Sequence, residues 1–352
     1  PLTLVNLTLV GFFISYCFSL LIYGPLSDRF GRRPPLLAGI GLFVLASLMC
    51  AAAGSVTQLI VFRVLQAAGA ASASTLALAI SKDVYAGHER ERILAYIGVI
   101  MALAPMLAPV IGGWLMVWFS WRWIFVVQGG IGAIAGMGVL GMQETLKTPA
   151  ATGALQTAAI YLQLLGNRRY LGCALLMSLV VLPHFAFIAG SADIYISRLG
   201  LSEQVFGYLF ALNAAAIMAG SFVCTRMAGR LASGRLLTIA FAGILAGGGL
   251  MLSRLIPAPW GLTLPMAVIS FCFGLSRPPS NNLVLEQVDH HAGAAASLLI
   301  FIYFMLGALA MWLISLEWAD KIAVIGALGT LSGGILLVAW RLGPWRRTPA
   351  AP

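Results

Sequence analysis

Long apolar runs separated by short polar junctions fill this chain from end to end. Runs near the roughly 20 residues that cross a hydrocarbon core lie at about 4–23, 35–54, 59–80, 93–117, 123–142 and 170–189. Five more lie at about 205–225, 236–255, 260–275, 292–316 and 322–340. The pattern predicts eleven membrane-spanning helices and an all-α fold. The longest polar connection, 143–169, is expected to be a central cytoplasmic loop between an N-terminal bundle, 1–142, and a C-terminal bundle, 170–341, with a tail over 342–352. Because the chain opens on Pro1 rather than Met, a further helix is expected ahead of it, giving two six-helix bundles related by an internal repeat.

Composition agrees with the pattern. Of the 352 residues, 61% are hydrophobic and 9% charged, against about 25% charged in soluble domains, and mean hydropathy is +0.96. The net charge of +10 then speaks to sidedness and not to nucleic acid. Alternate junctions and the tail hold Arg29, Arg32, Arg33, Lys82, Arg90, Arg92, Lys147, Arg168, Arg169, Arg226, Arg230, Arg235, Arg277, Arg341, Arg346 and Arg347. The opposite junctions hold Arg122, Arg198, Arg254 and Lys321. By the positive-inside rule the first set is cytoplasmic, and so is the C-terminus. No basic n-region precedes the first run, which reads as a span and not a signal peptide. Cys17, Cys50, Cys173, Cys224 and Cys272 lie in or beside spans without CxxC spacing and read as small buried residues. Neither a Walker A sequence nor an HExxH or GxSxG signature occurs; no cofactor, metal or enzymatic activity is expected.

The junction Gly24-Pro25-Leu26-Ser27-Asp28-Arg29-Phe30-Gly31-Arg32-Arg33 carries more than topology. Anchoring explains its arginines. It does not explain Gly24 and Pro25, expected to end the first helix and bring two backbones close, Gly31, which admits an unusual backbone angle, or Asp28, a carboxylate that does nothing for sidedness. An acid so placed can meet a neighbouring helix end or an arginine and form a latch.

The stretch Tyr23 to Pro34, YGPLSDRFGRRP, resembles motif A of the major facilitator superfamily, in the form found in the Bcr/CflA drug-resistance branch of the drug:proton antiporters. The resemblance implies the major facilitator fold, and a charge relay shared by Asp28 and Arg29 that stabilises the outward-open state. Arg63-Val64-Leu65-Gln66 with Gly69 and Ala70 is similar to motif B. Arg63 lies within a span, where a bare charge costs several kcal/mol; either it snorkels to the interface or it pairs with Gln66 one turn along. Gly98 to Gly113, with Pro105, Pro109, Gly112 and Gly113, is similar to motif C, which the superfamily associates with antiport. Ala104 stands where that motif opens on glycine. Trp121 to Phe125 and Glu144-Thr145-Leu146 also look familiar from the family.

The second-half loop, Arg226 to Arg235, keeps the basic residues and lacks an acid, and Arg277 to Asn282 reads as a helix stop. Proton coupling needs a titratable group within the protein. No acid lies mid-span; Asp193 is nearest, in what reads as an ordinary loop beside Arg198 and Glu203, while His184 beside Pro183 is either a titrating group or a hydrogen-bonded core histidine. The resemblance places the coupling carboxylate on the helix expected ahead of Pro1. A midplane cavity is expected to draw on Phe12, Tyr16, Phe185, Tyr208, Phe210, Asn213 and Tyr303. The expected function is proton-coupled export of small amphipathic compounds, such as bicyclomycin-like or chloramphenicol-like drugs, by a monomer in the bacterial inner membrane. A metabolite exporter, uptake symporter or uniporter on the same fold is the alternative.

Overall fold

A computed structural model of the chain describes residues 2–85, 87–146, 154–227, 230–288 and 291–342. These residues form α1 (Leu2–Phe30), α2 (Arg33–Ala51), α3 (Val56–Val84), α4 (Gly87–Trp118), α5 (Arg122–Leu140), α6 (Ala154–Gly166), α7 (Arg168–Ser178), α8 (Val181–Ala192), α9 (Glu203–Met227), α10 (Ser233–Ser253), α11 (Trp260–Leu285), α12 (Ala292–Ser315) and α13 (Lys321–Leu342), with a π-helical turn at Asp193–Arg198 after α8. Among the described residues nine helices are long and apolar enough to cross a bilayer. The pair Arg168–Ser178 and Val181–Arg198, bent by 42°, makes a tenth, and α4 occupies the place of the remaining predicted span. The bend has a cause in Pro183, which donates no hydrogen bond to Leu179; the Leu179 carbonyl accepts instead from the Leu182 amide at 3.2 Å.

Three boundaries differ from the sequence reading. Helix α1 does not end at Gly24-Pro25 but runs through them to Phe30, and a side chain on Gly24 would meet nothing within 4 Å, so no close helix approach occurs there among the described residues. Helix α11 likewise runs through Pro278 and Pro279 to Leu285. A proline inside a helix orphans the carbonyl four residues back; for Pro278 that is Gly274, whose oxygen accepts the Ser221 hydroxyl of α9 at 3.3 Å. Arg277, expected in a junction, therefore lies inside a span. The central connection also contains α6, and the Asn167 side chain behind it accepts from the Arg169 and Tyr170 amides to cap α7. Lys147 and the tail beyond Leu342 fall outside the described residues.

Residues 1–104 with 111–162 form one compact unit, and 105–110 with 163–352 another. In the first, α3 packs on α1 and α2, and α2 on α5. Leu36, Ile40 and Leu76 are buried there, with Val44, Ile80, Val139 and Met142 against them. Helix α5 turns the small buried Gly129 and Gly132 inward and leaves Ile131, Ile134 and Met137 exposed, as a lipid-facing helix does. In the second unit α10 packs on α13 and α11, α9 on α11, and α8 on α12. Its core includes Phe187, Phe241, Ile244, Met251 and Met266. All five cysteines are buried and unbridged.

Candidate functional site

The predicted motif A junction is a compact charge cluster. Arg32, only 8% exposed, donates from Nη1 to Asp28 Oδ1 at 2.5 Å and to Ser27 Oγ at 2.7 Å, and from Nε to Asp83 Oδ2 at 2.8 Å. Burial works against the guanidinium charge, but the hydrogen bonds and charges of Asp83 and Asp28 outweigh it and raise the Arg32 pKa. The carboxylate of Glu144 completes the cluster. Its Oε1 accepts from the Arg32 amide at 2.8 Å and its Oε2 from the Arg33 amide at 3.1 Å, while the Thr145 and Leu146 amides bind Oε1 at 2.9 and 3.0 Å. Partial desolvation raises its pKa, and these four amides outweigh that and hold it below the usual value. Arg33 Nη2 donates to the Leu140 carbonyl.

Gly31 makes this geometry available. Its φ is +90°, a region that L side chains resist, and a Cβ there would stand 2.5 Å from Glu144 Oε2. The turn thus aims two consecutive amides at one carboxylate. Arg32 thereby ties the ends of α1, α2 and α3 together, and Glu144 adds the segment after α5.

The partners differ from the implied relay. Asp28 meets Arg32 and not Arg29, because Arg29 lies over the Phe30 ring, 5.3 Å from its centroid. Asp83 and Glu144 were not singled out as site residues. Each is an acid in a junction that carries basic residues, where, as with Asp28, a carboxylate does nothing for sidedness.

The second predicted group also assembles in this unit. Arg63 Nη1 donates to Gln66 Oε1 at 2.6 Å, and its guanidinium lies 4.1 Å from the Phe12 ring centroid. Gln66, fully buried, passes its own donors to Ser47 Oγ at 2.8 Å and Gln128 Oε1 at 2.9 Å. Arg63 is held inside the span and does not snorkel; four helices contribute. A Cβ on Gly69 would stand 2.5 Å from the Phe43 amide nitrogen and 2.6 Å from the Gly39 oxygen, so Gly69 sets the contact of α3 with α2. Tyr16 donates to Ser74 Oγ at 2.7 Å and stacks on Phe12.

Gly98, Pro105, Pro109, Gly112 and Gly113 all fall on α4, where the side chains at 98 and 105 lie outside the described set. Among the described residues a Cβ on Gly112 would meet nothing within 4 Å.

In the second unit, Asp193 is no loop residue. It opens the π-helical turn, and its Oδ2 lies 2.9 Å from Lys321 Nζ and 3.4 Å from Arg198 Nε, an ion contact without the alignment of a hydrogen bond. Lys321 is 3% exposed. Arg198 also donates to the Ala319 and Trp318 carbonyls. His184 Nδ1 is buried without a hydrogen-bond partner, and the ring stacks on Phe273 at 4.8 Å. Asn213 is buried and donates to the Leu209 carbonyl at 3.0 Å. Phe185 meets Tyr303 edge-on at 5.6 Å, Phe210 stacks on Phe187, and Tyr208 is 51% exposed.

Nine apolar spans and a tenth bent one among the described residues make this a polytopic membrane protein. The profile of the Major Facilitator Superfamily matches residues 1–311, and the chain belongs to that family. It is 32% identical over 345 residues to the uncharacterized MFS-type transporter YdgK of Bacillus subtilis, covering 93% of this chain and 85% of that one. It is 29% identical over 315 residues to the bicyclomycin resistance protein homolog of Haemophilus influenzae, covering 87% and 78%, and 27% identical over 331 residues to the chloramphenicol resistance protein of Pseudomonas aeruginosa, covering 93% and 74%. The fold is also that of the xylose transporter XylE of E. coli in its partially occluded inward-open form, with a TM-score of 0.73, 14% identity and coverage of 97% of this chain and 88% of that one.

Proposed function

We propose that this protein exports small amphipathic compounds in exchange for protons, by alternating access, as a monomer in the bacterial inner membrane with its arginine-rich junctions on the cytoplasmic side. The observation that carries the reading is the Asp28, Arg32, Asp83 and Glu144 cluster. Three carboxylates gathered on one buried guanidinium and one glycine turn bind the ends of successive spans, and a charge network of this kind has two discrete arrangements, made or broken. Relatives named for bicyclomycin and chloramphenicol resistance support a drug cargo, and the motif C resemblance on α4 supports exchange.

The test uses everted membrane vesicles whose lumen is acidified by respiration and followed with a pH-sensitive dye. Addition of bicyclomycin or chloramphenicol is expected to release protons from the lumen, and Arg32→Ala is expected to abolish the response. Substrate entry that proceeds equally with and without the pH gradient would refute the coupling and favour facilitated passage.

A further inference from the structure

Arg277 is the intramembrane cation that the charge cluster and the motifs leave unexplained. It sits inside α11 about two turns before its end, with its guanidinium 4.0 Å from the centroid of the Tyr303 ring and 5.9 Å from that of Phe273. Phe273 and Tyr303 are buried. Phe273 also carries the His184 ring, with planes 15° apart, so α8, α11 and α12 build one continuous aromatic wall around the charge.

What the wall lacks is an acceptor. Among the described residues Arg277 makes no ion pair and donates no hydrogen bond, whereas Arg63 donates to Gln66 and Arg32 to two carboxylates. Three acids of this unit are engaged elsewhere, Asp193 by Lys321 and Arg198, Glu286 by Asn282, and Asp320 by Arg254, and among the described residues neither Glu203 nor Glu317 forms an ion pair with Arg277. Two further polar groups close by are unsatisfied. His184 Nδ1 is buried without a partner, and so is the hydroxyl of Ser280, one turn along α11 on the same face as Arg277.

A guanidinium is permanently charged and offers five N–H donors in a planar fork. Ring faces stabilise its charge but leave the edge donors unbonded, and a charge inside a span without a bonded partner is penalised. A carboxylate fits the fork with two parallel hydrogen bonds, and the rings beside it suit a flat apolar body. A cation meets like charge with nothing nearby to offset it.

We propose that Arg277, walled by Tyr303 and Phe273, is a docking subsite for the carboxylate of an aromatic organic anion, which makes amphipathic anions the preferred cargo. The proposal rests on the exporter reading for the word cargo, and on the geometry alone for the subsite.

The test titrates the purified full chain in lipid nanodiscs with three probes of one shape, 2-naphthoate, 2-naphthylmethanol and 2-naphthylmethylammonium, by calorimetry. Wild type is expected to bind the naphthoate at least about tenfold more tightly than the alcohol, and the ammonium no more tightly than the alcohol. Arg277→Gln is expected to erase the naphthoate advantage and keep alcohol binding. Arg277→Lys, which keeps the charge without the fork and guards against a folding defect, is expected to retain part of it. Equal binding of all three probes, or a naphthoate advantage that survives in Arg277→Gln, overturns the subsite. Vesicle uptake of 2-naphthoate is scored separately: Arg277-dependent binding without transport overturns the exporter reading and leaves the subsite standing.

Discussion

Arg32 holds two carboxylates at once, and their surroundings set unequal strengths. The Asp83 side chain is 18% exposed and the Asp28 side chain 45%, against 10% for Arg32. A charged hydrogen bond sheltered from water is worth about 1.5–3 kcal/mol, whereas an ion pair with one partner half in water contributes about 0–1 kcal/mol. Arg32→Ala removes both and the bond to Ser27, and strands Asp83 in a half-dry site, so it should cost about 3–5 kcal/mol. Two double-mutant cycles separate the partners. Arg32→Ala with Asp83→Asn should give a coupling of about 2 kcal/mol or more, and Arg32→Ala with Asp28→Asn under about 1 kcal/mol. Reversible unfolding in mixed detergent micelles, followed by tryptophan fluorescence, measures both. Equal couplings, or a larger one for Asp28, would refute the burial argument. Arg29→Ala is the control, expected to change stability by less than about 0.5 kcal/mol.

Gly31→Ala should lower the thermal midpoint, because its backbone angle costs about 1–2 kcal/mol for an L residue and its Cβ would strike the Glu144 carboxylate; adding Glu144→Ala should cost less than the sum of the two single changes. Glu144 has a folded pKa depressed below 4.5, so its stabilisation is fully present above about pH 4.5 and lost as pH falls through the folded value. Glu144→Gln should therefore flatten the acid limb of a stability profile recorded from pH 6 downward, and an unchanged slope would sink the assignment. Gln66→Leu takes the acceptor from Arg63 and the Nε2 donor from Ser47 and Gln128, for an expected loss of about 1–3 kcal/mol in the same micelle assay. Asp193→Asn or Lys321→Met alone should cost about 3–5 kcal/mol, since each leaves a charge without its buried partner, and the double replacement should cost markedly less; a double variant as unstable as the singles would show that the pair is not the source.

The spans were legible because lipid imposes a length and an apolar composition that survive in one dimension. Their ends were less so. Pro25 and Pro278 read as stops because a proline removes a backbone hydrogen bond, but whether the orphaned carbonyl finds another donor depends on a different helix. At Gly274 the donor is Ser221, 53 residues earlier in the chain. The same limit governs the charge cluster. Asp28 and Arg32 stand four residues apart, a spacing that brings side chains together and was available to the sequence reading, which implied Arg29 instead. Asp83 and Glu144 reach Arg32 from 51 and 112 residues away, through packing that no local pattern encodes. Asp193 was misread for a related reason: its neighbours Arg198 and Glu203 look like a solvated loop, while the buried ammonium that engages it belongs to α13.

Three arginines of this chain differ in the kind of partner that holds them. Arg32, at a junction, is met by carboxylates; Arg63, inside α3, by an amide oxygen and a ring face; Arg277, inside α11, by ring faces. Desolvation bears on the difference. A carboxylate carried into a span must shed its own hydration as well as the arginine's, and the attraction recovers that loss only with near-ideal geometry. Amides and aromatic faces stabilise the cation at a smaller desolvation penalty, and they leave its net charge intact. A buried arginine neutralised by its own protein is a structural staple, whereas one held by neutral groups still exerts its field on whatever enters the surrounding space. Neutral partners are thus what separates Arg63 and Arg277 from Arg32.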